Sequence, residues 1–154
     1  MNHITAGGIL VYTIHNNEIL LLLGKEKLTG YSAFSGFIEK NESVINGVYR
    51  EFFEESMNMI ELYTNNLYTM PYYIDNTHNF IMYLMKVDYD KYKDLPFYFN
   101  RTIHYMKDFK NIPEGYIEKI NIDWINYKDI KNKKSIFRKD FLTIMNNIKL
   151  DQYV

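Results

Sequence analysis

The chain begins with two apolar runs separated by a short polar segment. Residues 6–14 and 18–24 are rich in aliphatic and β-branched side chains, and His15, Asn16 and Asn17 between them are residues typical of turns. This pattern predicts a β-hairpin. Because the second run is apolar at nearly every position, we expect it to be a strand covered on both faces, as in a sheet with helices above and below.

The remaining pattern predicts further strands and two longer helices. The last strand should bury the alternating residues Ile120, Ile122 and Trp124. Residues 89–115 mix prolines, aromatics and charges without a clean period, which predicts an irregular excursion with at most a short helix. The other predicted elements are a loop or short strand at residues 24–36, strands at 72–74, 80–87 and 118–125, and helices at 43–57 and 135–148.

Length and composition fit one globular domain over residues 1–154. The chain is 47% hydrophobic and 24% charged, both near the globular average. Its formal net charge of -1 gives no general attraction for nucleic acid or membrane, so an anionic substrate must be held locally. The absence of cysteine excludes disulfides and thiolate chemistry. With no leader-like or membrane-spanning run, we expect a cytoplasmic protein without a membrane partner, and a homodimer is left open.

The predicted helix at residues 43–57 has one strongly acidic face. At about 100° per residue, Glu51, Glu54 and Glu55 fall within roughly one quadrant of its circumference. Like charges at such spacing destabilise a bare helix, and a divalent cation would remove the conflict. Carboxylates suit Mg²⁺ or Mn²⁺, and Mg²⁺ usually shares its ligands with substrate phosphates. The alternative is an ordinary solvated acidic face.

Two other residues of this helix fit a built site. Gly47 lies one turn before Glu51, where glycine costs about 1 kcal/mol relative to alanine, so a close approach there is predicted. Arg50 can pair with Glu54 at i+4 or reach back to Glu42 in the preceding loop.

The segment from Gly36 to Glu55 resembles the Nudix box. That motif reads Gly, five residues, Glu, seven residues, Arg-Glu, an apolar residue, any residue, Glu-Glu, any residue, Gly and an apolar residue. The positions in register are Gly36, Glu42, Arg50, Glu51, Phe52, Glu54 and Glu55. The resemblance extends loosely to an opening strand at residues 6–8 and to a last strand with Trp124 and Ile125.

This resemblance implies an α/β/α sandwich around a mixed β-sheet and Mg²⁺-dependent or Mn²⁺-dependent hydrolysis of a nucleoside diphosphate linked to another moiety. By motif, Glu51, Glu54 and Glu55 would be metal ligands, one of them activating water, and Gly36 would offer its carbonyl. Arg50 would orient the carboxylates, while Glu39 and Glu42 would support the loop.

The end of the box departs from the family. Met57 stands where the family has its closing glycine, and Asn58 follows where an apolar residue is usual. Because Met tolerates the left-handed conformation poorly and Asn tolerates it better, we expect the helix cap to move to Asn58. The departure also keeps open a non-catalytic, nucleotide-binding Nudix-like module.

Candidate residues outside the box are fewer. In the family the general base can lie in a later loop, and Glu114 and Glu118 are the acids before the last predicted strand. The stretch 97–110 combines aromatics with cations that can stack bases and bind phosphates, which makes Arg101 and Tyr105 candidates for substrate binding. The alternative is a set of core aromatics beside solvated lysines.

A small nucleotide is the preferred substrate, and capped RNA is the alternative. The run Lys40-Asn41-Glu42 is similar to the box of mRNA decapping enzymes. Against that similarity, the chain shows neither the extra domain nor the strongly basic balance expected of an RNA-binding enzyme.

Overall fold

The computed structural model describes residues 3–113 and 116–153. Glu114, one of the two candidate bases, is outside the described residues. Seven strands form one sheet: β1 (Ala6–His15), β2 (Glu18–Glu26), β3 (Gly30–Ser32), β4 (Phe34–Phe37), β5 (Tyr72–Asp75), β6 (Phe80–Lys86) and β7 (Lys119–Asn126).

The sheet is mixed, as predicted. β1 runs parallel to β6, and the pairs β1–β2, β1–β4, β2–β3, β2–β7 and β5–β6 are antiparallel. The predicted hairpin is present, with His15 opposite Glu18 across a two-residue turn. Asn16 and Asn17 both have positive φ, at 51° and 62°, as a tight hairpin turn with the strands' own twist requires.

Helices cover both faces of the sheet. They are α1 (Val44–Glu55), α2 (Thr64–Leu67), α3 (Tyr89–Tyr92), α4 (Leu95–Met106), α5 (Asp129–Asn132) and α6 (Lys139–Asn147), with 3-10 turns at Lys134–Ile136 and Leu150–Tyr153. One apolar cluster joins alternate strand residues such as Ile9 to α1 and α4, and the other joins residues such as Leu10 to α6. Because β2 contributes Leu22 to the first cluster and Leu21 to the second, its apolar run is explained by burial on both faces. The α/β/α sandwich is confirmed.

Helix α4 corrects the sequence prediction, which had an irregular segment there. Its buried residues are Phe99 and Ile103, one turn apart, while the aromatics Phe97, Tyr98 and Tyr105 are exposed and obscure the helical period. Pro96 lies in the first turn, where it is tolerated.

Two other predictions near the end of the chain were wrong. In β7, Ile122 is buried as predicted, but Ile120 is exposed and Trp124 is only half-buried, and the other buried residues are Lys119 and Ile125. The terminal helix begins at Lys139 and not at residue 135, because residues 134–136 form a separate 3-10 turn before it.

Across residues 3–113 and 116–153, none of the helices has both the length and the apolar character needed to cross a membrane.

Candidate active site

The box forms a strand, a loop and a helix in sequence. Gly36 lies in β4 and pairs with Gly7 of β1. The loop then leads to Ser43, whose hydroxyl caps α1 by accepting the backbone N–H of Asn46 at 3.1 Å. The acidic face of α1 is thereby fixed against the end of β4.

Arg50 connects the loop to the helix. Its guanidinium donates to both carboxylate oxygens of Glu42, at 3.0 and 2.9 Å, to Glu51 at 2.8 Å and to the carbonyl of Phe37 at 3.0 Å. The two predicted partners are both present, but Glu54, at 3.7 Å, is more distant than Glu42. A fork of this kind orients several carboxylates at once.

The glycines of the box make room for carboxylates. A Cβ on Gly47 would lie 2.7 Å from Glu42 Oε1 and 2.7 Å from Ile38 Cδ1, which confirms the predicted close approach. A Cβ on Gly36 would clash with the carboxylate of Glu51. Alanine at either position would therefore displace an acid of the site.

Glu55 is the most unusual acid of the box. It is 1% exposed, its Oε1 accepts the backbone N–H of Ser35 at 2.6 Å, and its Oε2 is buried and has no hydrogen-bond partner among residues 3–113 and 116–153. Burial raises the pKa of Glu55 to about 8, although the Lys119 ammonium, 3.9 Å away, opposes the shift. An unpartnered buried carboxylate oxygen is costly, so it marks a place where a cation would be stabilising.

Lys119 is a site residue that the sequence pattern did not reveal. It is 1% exposed, and its ammonium donates to Ser32 at 2.7 Å and to Glu26 at 3.3 Å. Gly24 leaves space for its stem, because a Cβ there would lie 2.6 Å from Lys119 Cδ. A glycine in an otherwise aliphatic strand was the available signal.

The predicted metal ligands Glu51, Glu54 and Glu55 lie close together on α1, but their carboxylates contact different groups. Within the described parts of the chain, no three His, Asp or Glu side chains converge closely enough to hold one ion. Glu51 turns to Arg50, whereas Glu55 turns to Ser35 and Lys119. The donor set nevertheless fits a hard divalent cation, because it offers carboxylates and because one of their buried oxygens, on Glu55, accepts no hydrogen bond from the described residues.

A cavity of about 600 Å³ opens beside the box. It lies against the end of β4, the α6 face of β1 and β6, and α6 itself. Its charged lining residues are Glu26, Glu39, Glu51, Glu118 and Asp140 on the acidic side and Arg50 and Arg138 on the basic side. Acids therefore outnumber arginines in the cavity.

Glu118 shares this cavity with Glu51, as a candidate base should. Partial burial raises its pKa, and the negative charges of Glu51 and Glu26 raise it further. For Glu54 too, partial burial is the main cause of a raised pKa, which the charge of Arg50 opposes. Carboxylates with raised pKa values accept protons better at neutral pH.

Arg101 and Tyr105 are not brought to the cavity. Both lie on α4, which packs on β7, and neither lines the cavity beside the box. The Arg101 guanidinium lies 5.9 Å from the centre of the Tyr105 ring. Their role in substrate binding stays a prediction.

Helix α1 ends in a left-handed turn at Met57. The N–H of Met57 donates to the carbonyl of Glu54, and the N–H of Asn58 donates to that of Phe53. This pair of bonds is the Schellman pattern, with Met57 at the position usually taken by glycine. The φ angles are 53° at Met57 and 54° at Asn58, so both residues are left-handed. The cap is at Met57, and the prediction that it moves to Asn58 was wrong.

Comparison with solved structures identifies this architecture. Over 95% of its length the chain matches the NUDIX domain of Shewanella oneidensis NrtR in complex with ADP ribose, with a TM-score of 0.53, 12% identity and 86% of that chain covered. The chain has the Nudix fold. No protein-family model and no curated protein matches this Nudix-fold sequence.

Two further structures share the Nudix fold with it. A binary complex of a C. elegans Ap4A hydrolase matches 92% of this chain and 93% of its own, with 14% identity and a TM-score of 0.52. A bifunctional NMN adenylyltransferase/ADP ribose pyrophosphatase from Francisella tularensis, in complex with AMP and a Mn ion, matches 95% of this chain with 18% identity and a TM-score of 0.54. This chain covers 40% of that larger protein.

Proposed function

We propose that the protein is a divalent-cation-dependent hydrolase that cleaves the pyrophosphate bond of a small nucleotide derivative. The observation that carries this proposal is the set of acids in box register, Glu51, Glu54 and Glu55, of which Glu51 lines the cavity together with Glu118. Solved structures with this fold are described as an ADP ribose pyrophosphatase and an Ap4A hydrolase, which supports a nucleotide derivative as substrate.

The charge of the cavity supports a requirement for a cation. Arg50 is held by Glu42 and Glu51, and Arg138 donates to Glu26 at 2.7 Å and to Asp140 at 2.8 Å. Neither arginine is free to neutralise a phosphate. A substrate carrying several phosphate charges would therefore be repelled by the remaining acids unless Mg²⁺ or Mn²⁺ entered with it.

Each residue of the site would have its own role in the reaction. Bound Mg²⁺ or Mn²⁺ supplies charge neutralisation at the phosphates and lowers the pKa of a water. Glu51, Glu54 and Glu55 would hold the cation, with Arg50 fixing the orientation of Glu51. Glu118 would take the proton from the attacking water, since its pKa is raised and it lines the cavity beside Glu51.

The test is a hydrolysis screen with ADP-ribose, diadenosine tetraphosphate, a nucleoside diphosphate sugar and capped RNA, with Mg²⁺, with Mn²⁺ and with EDTA. We expect metal-dependent cleavage and a higher kcat/KM for a small substrate than for capped RNA. Glu54→Gln should lower kcat on the order of 100-fold or more. Glu18→Gln is the matched control, because Glu18 pairs with Lys128 away from the box.

Three results would contradict the proposal. Near wild-type turnover by Glu54→Gln would remove the box acids from the reaction. Tight nucleotide binding without cleavage of any substrate would indicate a binding module instead. A preference for capped RNA that weakened steeply with salt would establish the decapping alternative.

A further inference from the structure

Three side chains form a row across the sheet at the cavity. In the strand register, Ala6 of β1 lies opposite Phe37 of β4 on one side and opposite Phe80 of β6 on the other. Directly opposite residues project from the same face of a sheet, here the face toward α6. All three residues line the cavity. The row therefore has a small side chain, Ala6, between two large ones, Phe37 and Phe80, and we name these three residues the aromatic slot.

The spacing of the strands fits a flat ring. Adjacent strands lie about 4.8 Å apart, so the backbones that carry Phe37 and Phe80 are separated by roughly 9 to 10 Å. A planar group in contact with a ring on each side needs roughly 7 to 8 Å. Alanine at the central position leaves that space open, whereas a larger side chain would fill it.

The side chain of Phe37 is far more exposed than that of an aromatic residue with a role in packing. It is 78% exposed, yet the carbonyl of Phe37 is held by Arg50 at 3.0 Å, so its backbone position is fixed. It directly follows Gly36, against which Glu51 lies. One end of the slot therefore adjoins the acids of the box.

A polar group lies at the opposite end of the slot. Asp75 is opposite Phe80 in the β5–β6 register, and it is buried. Its Oδ2 lies 2.6 Å from Nδ1 of His78, and its Oδ1 accepts the backbone N–H of Thr77 at 3.0 Å. His78 lines the cavity, and because its Nδ1 contacts Asp75, its Nε2, which has no hydrogen-bond partner in the described part of the chain, can contact a ligand.

We propose that the aromatic slot binds the nucleobase of the substrate, with Phe37 and Phe80 against its faces and His78 at its polar edge. The proposal rests on the proposed function for the position of the phosphates, which would extend from the slot toward Glu51. The slot itself binds a base whether or not hydrolysis follows.

The test compares ligands with and without a base. Binding of AMP, GMP, CMP and UMP, and of ribose 5-phosphate, is measured by calorimetry in the presence of Mg²⁺. We expect at least one nucleotide to bind about tenfold or more tightly than ribose 5-phosphate, since stacking of a base contributes on the order of 5-fold to 150-fold in affinity. Phe37→Ala should weaken that nucleotide about tenfold and leave ribose 5-phosphate unchanged.

The variants separate the slot from general effects. Phe97→Ala is the matched control, because Phe97 is 63% exposed but lies on α4 and does not line the cavity. Ala6→Leu should remove the preference for nucleotides over ribose 5-phosphate by filling the slot. His78→Ala should change the ranking of the four nucleotides, while the melting temperature shows that each variant is folded.

The outcomes distinguish this proposal from the proposed function. Equal affinity for nucleotides and ribose 5-phosphate, or equal effects of Phe37→Ala and Phe97→Ala, would overturn the slot even if the protein hydrolyses nucleotides. Base-dependent binding that Phe37→Ala weakens, in a protein that cleaves no substrate, would support the slot and refute the hydrolase.

Discussion

Replacing Gly47 with alanine is a sharp test of how the box is packed. In a helix interior, alanine is normally about 1 kcal/mol more favourable than glycine. At Gly47 the added Cβ would lie 2.7 Å from Glu42 Oε1 and 2.7 Å from Ile38 Cδ1. We therefore expect the general advantage of alanine to be reversed at this position.

The magnitude follows from two opposing effects. Forcing an extra methyl group into a packed site costs about 1 to 3 kcal/mol. Displacing Glu42 also weakens its two hydrogen bonds with Arg50. Against the gain of about 1 kcal/mol, the net loss should be roughly 1 to 2 kcal/mol, which lowers the melting temperature by about 3 to 6 °C in a domain of this size.

The assay is thermal unfolding of matched variants. Asn46→Ala is the control, since Asn46 is exposed in the same helix turn and should show the ordinary gain. Combining Gly47→Ala with Glu42→Ala should recover part of the loss, because the clash with Glu42 is then absent. If Gly47→Ala raised the melting temperature as much as Asn46→Ala does, the described contact between loop and helix would be refuted.

Two predictions concern groups outside that contact. The pKa of Glu55 is raised to about 8 by burial, so its contribution to stability is present below its ordinary pKa near 4.5 and is lost as the pH rises through 8. We therefore expect the free energy of unfolding of Glu55→Gln, measured with urea in EDTA, to rise by about 2 to 4 kcal/mol relative to that of the wild type between pH 5 and pH 9. Parallel pH profiles of the two proteins would contradict this prediction. Asn100→Ala should cost about 1 to 3 kcal/mol, because the Asn100 amide bonds both the N–H of Ile122, at 2.8 Å, and its carbonyl, at 3.2 Å. Thr102→Ala on the same helix is the control for thermal unfolding, and equal melting of the two variants would show that the amide bonds contribute nothing.

The elements that sequence reasoning predicted well are those specified by local chemistry. The hairpin follows from two aliphatic runs and the Asn16–Asn17 turn, whose positive φ angles asparagine tolerates. The box follows from fixed spacing along one helix, and the close approach at Gly47 is a property of that same segment.

The elements that it missed depend on distant partners. Helix α4 is specified largely by tertiary contacts, because Asn100 bonds the backbone of β7 and Phe99 belongs to the apolar cluster that also includes residues of α1. In β7, the buried position of Lys119 requires Ser32, Glu26 and Glu55, which come from three other elements. No pattern within residues 118–125 encodes those partners, so periodicity assigned Ile120 to the interior.

The residues of the aromatic slot were missed for a similar reason. Phe37, Ala6 and Phe80 belong to three different strands, and only the β4–β1–β6 order places them in one row. By contrast, the aromatic stretch containing Arg101 and Tyr105 is conspicuous in the sequence but lies on α4, away from the cavity. Composition finds residues capable of stacking, whereas strand order decides which of them meet.

The acids of the cavity link stability to the proposed chemistry. Carboxylates brought together without enough cations destabilise a fold, and Glu55 adds a buried oxygen that no described residue hydrogen-bonds. Arg50 and Arg138 already pair with several of these acids, so the remaining negative charge is left for a ligand to neutralise. We therefore expect a divalent cation and a nucleotide together to stabilise the protein by more than the sum of the stabilisation that each gives alone. Such cooperativity is what a site built from acids requires, because each of the two ligands carries the charge that the other needs.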